Sequence, residues 1–516
     1  MDLHTSHPKL LQASVAKNPD TMAVDDGTTQ LSWRELSQKV TGMRRFLSEA
    51  GIDHRDRVAC LIGNSADVFV ILLATLHSGV TLVPINWHLT AEEIAYILDD
   101  SGSRLLFTDE ARYGLATEAA CLTGGIPVVQ AAGVSTEETC LLEEEVCGSI
   151  MMYTSGTTGR PKGVVNNLFP LGGPLEKVDR MKSYAAVVLG LEPDGIFLLA
   201  GPWYHSSQLF FSLLSLLLGS TLCIEPAFSA TDLLQRIQDN RVTATHLVPT
   251  QFVRLLRIPP KDRASYDLSS LRVVWHGGGP CTVTCKREML DWFGTILVEY
   301  YGATETGTLT LITSSQWLKK TGSVGRAVAP NEIFAITSDG ERLPPNEIGR
   351  LAVKRAGGGK FHYYNDPDKT ARSHIFPDTF ALGDLGTVDE DGYVYITGRS
   401  SDLIVTGGVN VYPAEVEAAL LHHPAVRDVV VVGLPDPEFG DRVCAVIEAH
   451  DAPKLEDLPT TLDRDVRQHL AGFKVPRTWF FVPQVPRDPS GKVRRDALSA
   501  LIDEHTTTTG TRDAAG

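Results

Sequence analysis

The feature that most constrains this chain is the string Tyr153-Thr-Ser-Gly-Thr-Thr-Gly-Arg-Pro-Lys-Gly-Val-Val165, which follows the apolar run Ile150-Met-Met-Tyr153. Four hydroxyl residues (Thr154, Ser155, Thr157, Thr158), three glycines, Arg160 and Lys162 fall within ten positions. Glycines let backbone N–H groups approach an anion closely, hydroxyls add donors, and the two cations supply the charge that phosphate oxygens need. A Walker A loop would read G-x-x-x-x-G-K-[ST] and open into a helix. Here Pro161 stands where the second glycine would be, and Gly163-Val-Val165 reads as a strand. The string is therefore a strand-to-strand phosphate clamp.

A chain of 516 residues has room for two or more domains and a large core. Its net charge of −16 argues against nucleic acid or an anionic membrane surface as partner. The eight cysteines form no C-x-x-C pair and read as reduced thiols of a cytoplasmic protein. No signal peptide is visible at the N-terminus. The greasiest run, Leu209 to Leu218, is too short to span a bilayer and reads as a buried helix.

From Leu31 to Glu305 helical segments alternate with short apolar strands, the pattern of a mostly parallel α/β sheet. Ser32 and Ser65 read as helix caps. Strand candidates are 58–62, 104–108, 196–200, 221–225, 245–248, 271–275 and 296–299. Ligands of such sheets gather beyond the carboxyl ends of the strands. Three strands run straight into unusual loops: Pro202-Trp-Tyr-His-Ser-Ser207, His276-Gly-Gly-Gly-Pro280 and Tyr300-Tyr-Gly-Ala-Thr-Glu305. From Gly322 to Thr397 β-type segments separated by polar turns dominate, and Asp384 lies there between glycines. The string Gly398 to Pro413 then leads into helix and strand patterns of a compact α+β module. Near its end Lys492 rides on the turn-prone Pro486-Arg-Asp-Pro-Ser-Gly-Lys-Val-Arg494.

In identity and order these strings resemble the signatures of the adenylate-forming superfamily, which includes acyl-CoA synthetases, peptide-synthetase adenylation domains and luciferases. The likeness covers residues 10–503 and is strongest to acyl-CoA synthetases. It implies an α/β fold: a large N-terminal ATP- and acyl-binding domain (1–401) of parallel-rich sheets with helices plus a small β-barrel (about 322–397). A small mobile α+β lid (402–503) and a disordered tail (504–516) follow.

The resemblance also implies roles. Thr154, Ser155, Gly156, Thr157, Thr158 and Lys162 grip the ATP phosphates. Gly277, Gly278, Gly279 and Tyr301 flank adenine, with Tyr300 and Gly302 in the same nucleotide string. Thr304 meets the α-phosphate, Glu305 with Thr157 holds Mg²⁺, and Asp384 and Arg399 hold the ribose. Asp402 is the hinge, Gly407 and Gly408 border the coenzyme A path, and Lys492 is the catalytic lysine. His205 joins Lys492 and Glu305 as a catalytic candidate, and joins Trp203, Phe252 and Gly307 in the acyl pocket.

The implied reaction makes an acyl-adenylate and pyrophosphate from a carboxylic acid and ATP, then transfers the acyl group to coenzyme A. A phosphopantetheinyl carrier protein is the alternative acceptor, and a catalytically silent nucleotide-binding regulator the alternative of another class. Adenylation domains for amino acids carry an Asp after the strand ending near Ala200, where this chain has Trp203-Tyr-His. The expected acid is thus bulky, apolar and without an α-amino group. The enzyme is expected to be a monomer or homodimer, with no nucleic acid partner and no transmembrane segment.

Overall fold

Local rules account for where several helices begin. Ser32 and Thr90 accept from the backbone N–H three residues on while Glu35 and Glu93 reach back, so Trp33–Glu49 and Ala91–Ser101 open with reciprocal capping boxes. Ser65 stands at the N-cap of Ala66–His77, but its hydroxyl makes no capping bond. Asp26 does this instead, its Oδ2 accepting from the Ala66 N–H at 2.9 Å. A carboxylate is the stronger acceptor at the positive end of a helix. Burial alone would raise the Asp26 pKa, but the bonds from Ala66, Thr28 and Thr29 hold it below the usual range.

The computed structural model describes residues 7–134, 145–154, 160–166, 168–356, 361–406, 409–450, 458–488 and 491–508. The chain divides into two compact units. The first comprises Met1–Gly278, Trp292–Leu309 and Gly357–Arg372. One of its sheets runs Val128–Gln130, Leu105–Thr108, Arg57–Leu61, Thr81–Pro84, Ser149–Ile150, all parallel. A second runs Gln30–Ser32, Met22–Asp25, Thr221–Ile224, Ile196–Leu199, Ala244–Leu247, Val273–His276, Leu297–Ala303, parallel from Met22–Asp25 to Leu297–Ala303. Their strands are continuous apolar runs because helices cover both faces. Val58 to Leu61, for example, are fully buried. The greasy run lies in the helix Ser206–Leu217, and no helix among the described residues is long and apolar enough to cross a membrane.

The second unit comprises Gly279–Asp291, Thr310–Ala356 and Ser373–Gly516. Strands Gly325–Ala327, Tyr393–Arg399, Asp384–Val388, Gly349–Arg355 and Asn331–Ile336 pair antiparallel, as the β-type stretch predicts. After them the long hairpin Val426–Asp436 and Gly440–Ala449 centres a five-stranded sheet. Its side chains alternate: Val429, Val431, Val443 and Ala445 pack with helices Pro413–Leu421 and Leu458–His469, whereas Val430, Cys444 and Val446 pack with Leu498 and Ile502.

Two expectations change. The final helix runs Arg495–Thr508, so residues 504–508 are helical and not a disordered tail. Each added residue closes one more backbone bond, and no proline or glycine interrupts before Gly510. Residues 509–516 lie outside the described set. The string Tyr300 to Glu305 is mostly strand: Leu297–Ala303 turns through three residues into Gly307–Thr313. Gly302 permits this, since a Cβ there would sit 2.3 Å from the Gly307 carbonyl oxygen.

Candidate active site

The strands on either side of the string expected to clamp phosphate pair with each other. Met152–Thr154 pairs antiparallel with Lys162–Val165, and Thr154 faces Lys162 in register. Ser155, Gly156, Thr157 and Thr158 lie outside the described residues. The C-terminal flank of the loop is anchored on Tyr96, whose hydroxyl donates to the Pro161 carbonyl at 3.2 Å while Arg160 lies 5.0 Å over its ring. On the far side Lys162–Val165 pairs with His362–Tyr363, so a segment distant in sequence joins the clamp. Lys162 Nζ stands 3.5 Å from Asp366, which is held below the usual carboxylate range by the Lys369 backbone N–H.

Thr304 and Glu305 form the turn beside that hairpin. Three contacts from different elements fix them. The Ser206 and Thr304 hydroxyls share a bond of 3.0 Å, the Asn166 amide donates to the Thr304 carbonyl at 3.1 Å, and the Tyr363 hydroxyl donates to Glu305 Oε1 at 2.8 Å. Lys369 Nζ lies 3.8 Å over the Tyr363 ring. Burial lowers the Lys369 pKa against the pull of Glu305 and Asp366. The result is a half-buried patch of alternating charge in which one carboxylate oxygen of Glu305 is already oriented.

The glycine loop lies over aromatic packing. A Cβ on Gly277 would come 2.6 Å from the Tyr300 ring, and Gly278 has φ +77°, so both positions need glycine. Tyr300 is buried beneath the loop, its hydroxyl 3.1 Å from His246 Nε2. The Gln208 amide donates to His246 Nδ1 at 3.0 Å. Burial drives the His246 pKa down to about 3 and that of Tyr300 up to about 12. Tyr300 therefore packs under the glycine loop, while Gly302 and the half-buried Tyr301 follow it in the strand.

Among the acyl-pocket candidates, Trp203 and Phe252 are fully buried core residues. The Trp203 indole donates to the Ile62 carbonyl at 2.7 Å, and Phe252 packs on His276 with ring centroids 5.0 Å apart. His205 is half-buried at the N-cap of Ser206–Leu217, with its ring 4.6 Å from that of Tyr204. Gly307 takes φ +69° at the start of its strand. Glu299, also buried, lies 4.0 Å from His276.

In the second unit Gly279 opens the chain segment, and Asp384 is buried and accepts from Arg399 Nε at 3.1 Å. Asp402 follows, accepting from the Ser401 hydroxyl at 2.9 Å. Gly407 and Gly408 lie outside the described residues, between the paired strands Ile404–Thr406 and Val409–Val411. Lys492 is exposed on a tight turn in which the Asp488 N–H donates to its carbonyl at 2.8 Å.

Asn166, Tyr363, Asp366 and Lys369 were not evident from sequence, and Ser206 was visible only as a member of the loop 202–207. Each acts through a strand register or a turn that joins distant segments. Only the pair Asn166-Asn167 directly after a strand offers a local polar signal.

Residues 11–363 match the family of AMP-binding enzymes, and residues 415–492 match the AMP-binding enzyme C-terminal domain. A 2-succinylbenzoate–CoA ligase of Geobacillus kaustophilus is 33% identical over 96% of this chain and 98% of its own. A fatty acid–[acyl-carrier-protein] ligase of Streptomyces coeruleorubidus is 32% identical over 93% of each chain. The solved o-succinylbenzoate CoA synthetase of Bacillus subtilis, in complex with its acyl-adenylate intermediate, superposes with a TM-score of 0.81. That structure is 28% identical, over 95% of this chain and 98% of its own.

Proposed function

The chain belongs to the AMP-binding enzyme family, and from that premise we propose that it is an AMP-forming acid–thiol ligase that converts a bulky, largely apolar carboxylic acid into its coenzyme A thioester. The observation that carries this reading is the length of the match to named CoA ligases. It spans the whole site string, from the hairpin lysine Lys162 through Glu305, Asp384 and Arg399 to Lys492.

In the first step a carboxylate oxygen attacks the α-phosphorus of ATP and the bond to pyrophosphate breaks. In the second the coenzyme A thiol loses its proton to solvent, its sulfur attacks the acyl carbon, and the C–O bond to AMP breaks. The carboxylate is already ionised at pH 7, so adenylation needs no general base. The obstacle is repulsion between two anions, and catalysis is mainly positioning and charge neutralisation. The hydroxyl loop and Lys162 would hold the outer phosphates, with phosphate replacing Asp366 on Lys162. Asp384 and Arg399 would hold the ribose, and Lys492 would bring its ammonium to the carboxylate and α-phosphate. Rotation at Asp402 would then withdraw Lys492 and open the thiol path beside Gly407 and Gly408.

Mg²⁺ suits Glu305. That ion takes one or two carboxylates and fills its octahedron with phosphate and water. Glu305 offers one oriented carboxylate, and no cluster of three or more His, Cys, Asp or Glu is placed to hold a metal alone among the described residues. When bound there it would neutralise charge on the phosphate oxygens, and the Tyr363 hydroxyl would hold the Glu305 carboxylate that ligates it.

The segments 203–205, 249–252 and 307–309 contain no Asp, Glu or Lys. An ammonium buried among them would cost several kcal/mol, roughly, if unpaired. Pyrophosphate exchange measured with acetate, leucine, benzoate, a long fatty acid and a polycyclic acid tests the assignment. Higher kcat/KM for the large apolar acids supports it. A preference for acetate or leucine over both large apolar acids would overturn it. Offering a phosphopantetheinyl carrier protein in place of coenzyme A tests the acceptor.

A further inference from the structure

The lysine assigned above to adenylation sits on a turn whose geometry is set by side chains. Arg487 grips Asp428 with two bonds, Nε to Oδ2 at 2.7 Å and Nη2 to Oδ1 at 2.8 Å. Its remaining nitrogen, Nη1, donates to the Gly491 carbonyl at 3.1 Å, and Nη2 also faces the Val429 carbonyl at 3.4 Å. Asp428 is itself pinned, accepting from the Val429 N–H at 2.8 Å. On the other side of the turn the Lys492 N–H donates to Asp488 Oδ1 at 3.0 Å.

The Gly491 carbonyl and the Lys492 N–H are the two ends of one planar peptide group. Arg487 holds one end and Asp488 the other. The peptide that sets the direction in which the lysine leaves the backbone is thus clamped from both sides. Gly491, at φ +86°, supplies the left-handed residue the turn needs. Arg487 is mostly buried, with a quarter of its side chain exposed, whereas Lys492 is exposed. A rigid base thereby carries an exposed cationic arm. Lysine could not replace Arg487, because only the planar guanidinium fork reaches a carboxylate with two nitrogens and a carbonyl with the third.

The geometry points to Arg487, anchored on Asp428, as the positioning residue for Lys492: it fixes the Gly491–Lys492 peptide so that the ammonium meets the reacting carboxylate and α-phosphate. This rests on the adenylating role proposed for Lys492. A clamp of this kind serves the step that uses the lysine and no other, so its loss divides the two half-reactions.

The test compares Arg487→Met, Arg487→Lys and Asp428→Asn with Lys492→Ala as control, in two assays. One is acid-dependent pyrophosphate exchange. The other is thioester formation from supplied acyl-adenylate and coenzyme A. Displacing a reacting group by about 1 Å costs on the order of 100-fold, so Arg487→Met is expected to lose ~10- to 100-fold in exchange. It should keep thioester formation within about twofold. Arg487→Lys should recover only part of the loss, and Asp428→Asn should lose less in the same direction. Amide exchange at Gly491 and Lys492 should accelerate in Arg487→Met. Equal loss in both assays would make Arg487 a general stability residue, and unchanged exchange with unchanged amide protection would remove the clamp altogether. If Arg487→Met does not fold, Arg487→Lys and Asp428→Asn decide by the same split. If Lys492→Ala retains exchange, the role of Lys492 fails, and the amide protection still reports on the clamp separately.

Discussion

Acidification should destabilise the first unit in a calculable way. His77 and His246 are fully buried, and burial brings both to a pKa of about 3 from the ordinary 6.5. Each is locked as the neutral ring. His77 Nε2 accepts from the Leu10 N–H at 3.1 Å while Nδ1 faces the Leu73 carbonyl, and His246 Nδ1 takes the Gln208 amide while Nε2 faces Tyr300. A proton on either accepting nitrogen breaks its bond and charges the core. Because the folded pKa lies below the unfolded one, the unfolded chain binds more protons between about pH 6.5 and 3. The stability from each neutral histidine is present above pH 6.5 and lost as pH falls toward 3. At pH 5 the linkage amounts to about 2 kcal/mol per histidine, from 1.36 kcal/mol per pH unit over about 1.5 units. Urea unfolding at pH 7.5 and 5, followed by tryptophan fluorescence, reads this loss. His246→Gln, which keeps a neutral polar side chain, should remove one share of about 2 kcal/mol from the pH dependence. An undiminished pH dependence in that variant would mean that His246 does not titrate as the buried geometry requires.

Other perturbations test the site. Tyr363→Phe removes the 2.8 Å bond to Glu305, and loss of a group that orients a ligand carboxylate should raise the Mg²⁺ needed for half-maximal exchange ~10-fold or more; an unchanged Mg²⁺ dependence would detach Tyr363 from the metal. Lys492→Ala should abolish adenylation while largely sparing thioester formation from supplied acyl-adenylate, as seen in single-turnover assays of each half-reaction. Asp384→Asn, at a buried carboxylate paired with Arg399, should raise KM for ATP on the order of tenfold with little change in KM for the acid, since it weakens a charged hydrogen bond of about 1.5–3 kcal/mol.

The strands on either side of the hydroxyl string were legible because their signal is local: the apolar run ending at Tyr153 and Gly163-Val-Val165 read as strands, and they pair antiparallel. The strand–helix alternation likewise placed the parallel sheets, since continuous apolar runs such as Val58 to Leu61 follow from burial on both faces. What escaped was set by contacts across long sequence distances. Tyr363 meets Glu305 only because His362–Tyr363 pairs with Lys162–Val165, and no local pattern encodes that register. Trp203 and Phe252, named for the acyl pocket, are fully buried, since a large aromatic that can bury completely does so. Tyr300, placed by sequence only within the nucleotide string, lies below the glycine loop, where the missing Cβ of Gly277 makes room for its ring.

The central claim is that the acid attacks the α-phosphorus of ATP, and an oxygen label follows that attack directly. The acid giving the fastest exchange is supplied with ¹⁸O in its carboxylate, together with ATP and coenzyme A, and the products are weighed by mass spectrometry. Attack at the α-phosphorus followed by thiolysis at the acyl carbon leaves one labelled oxygen in AMP and the other in the thioester. Label in inorganic phosphate, or AMP without label, would contradict the mechanism.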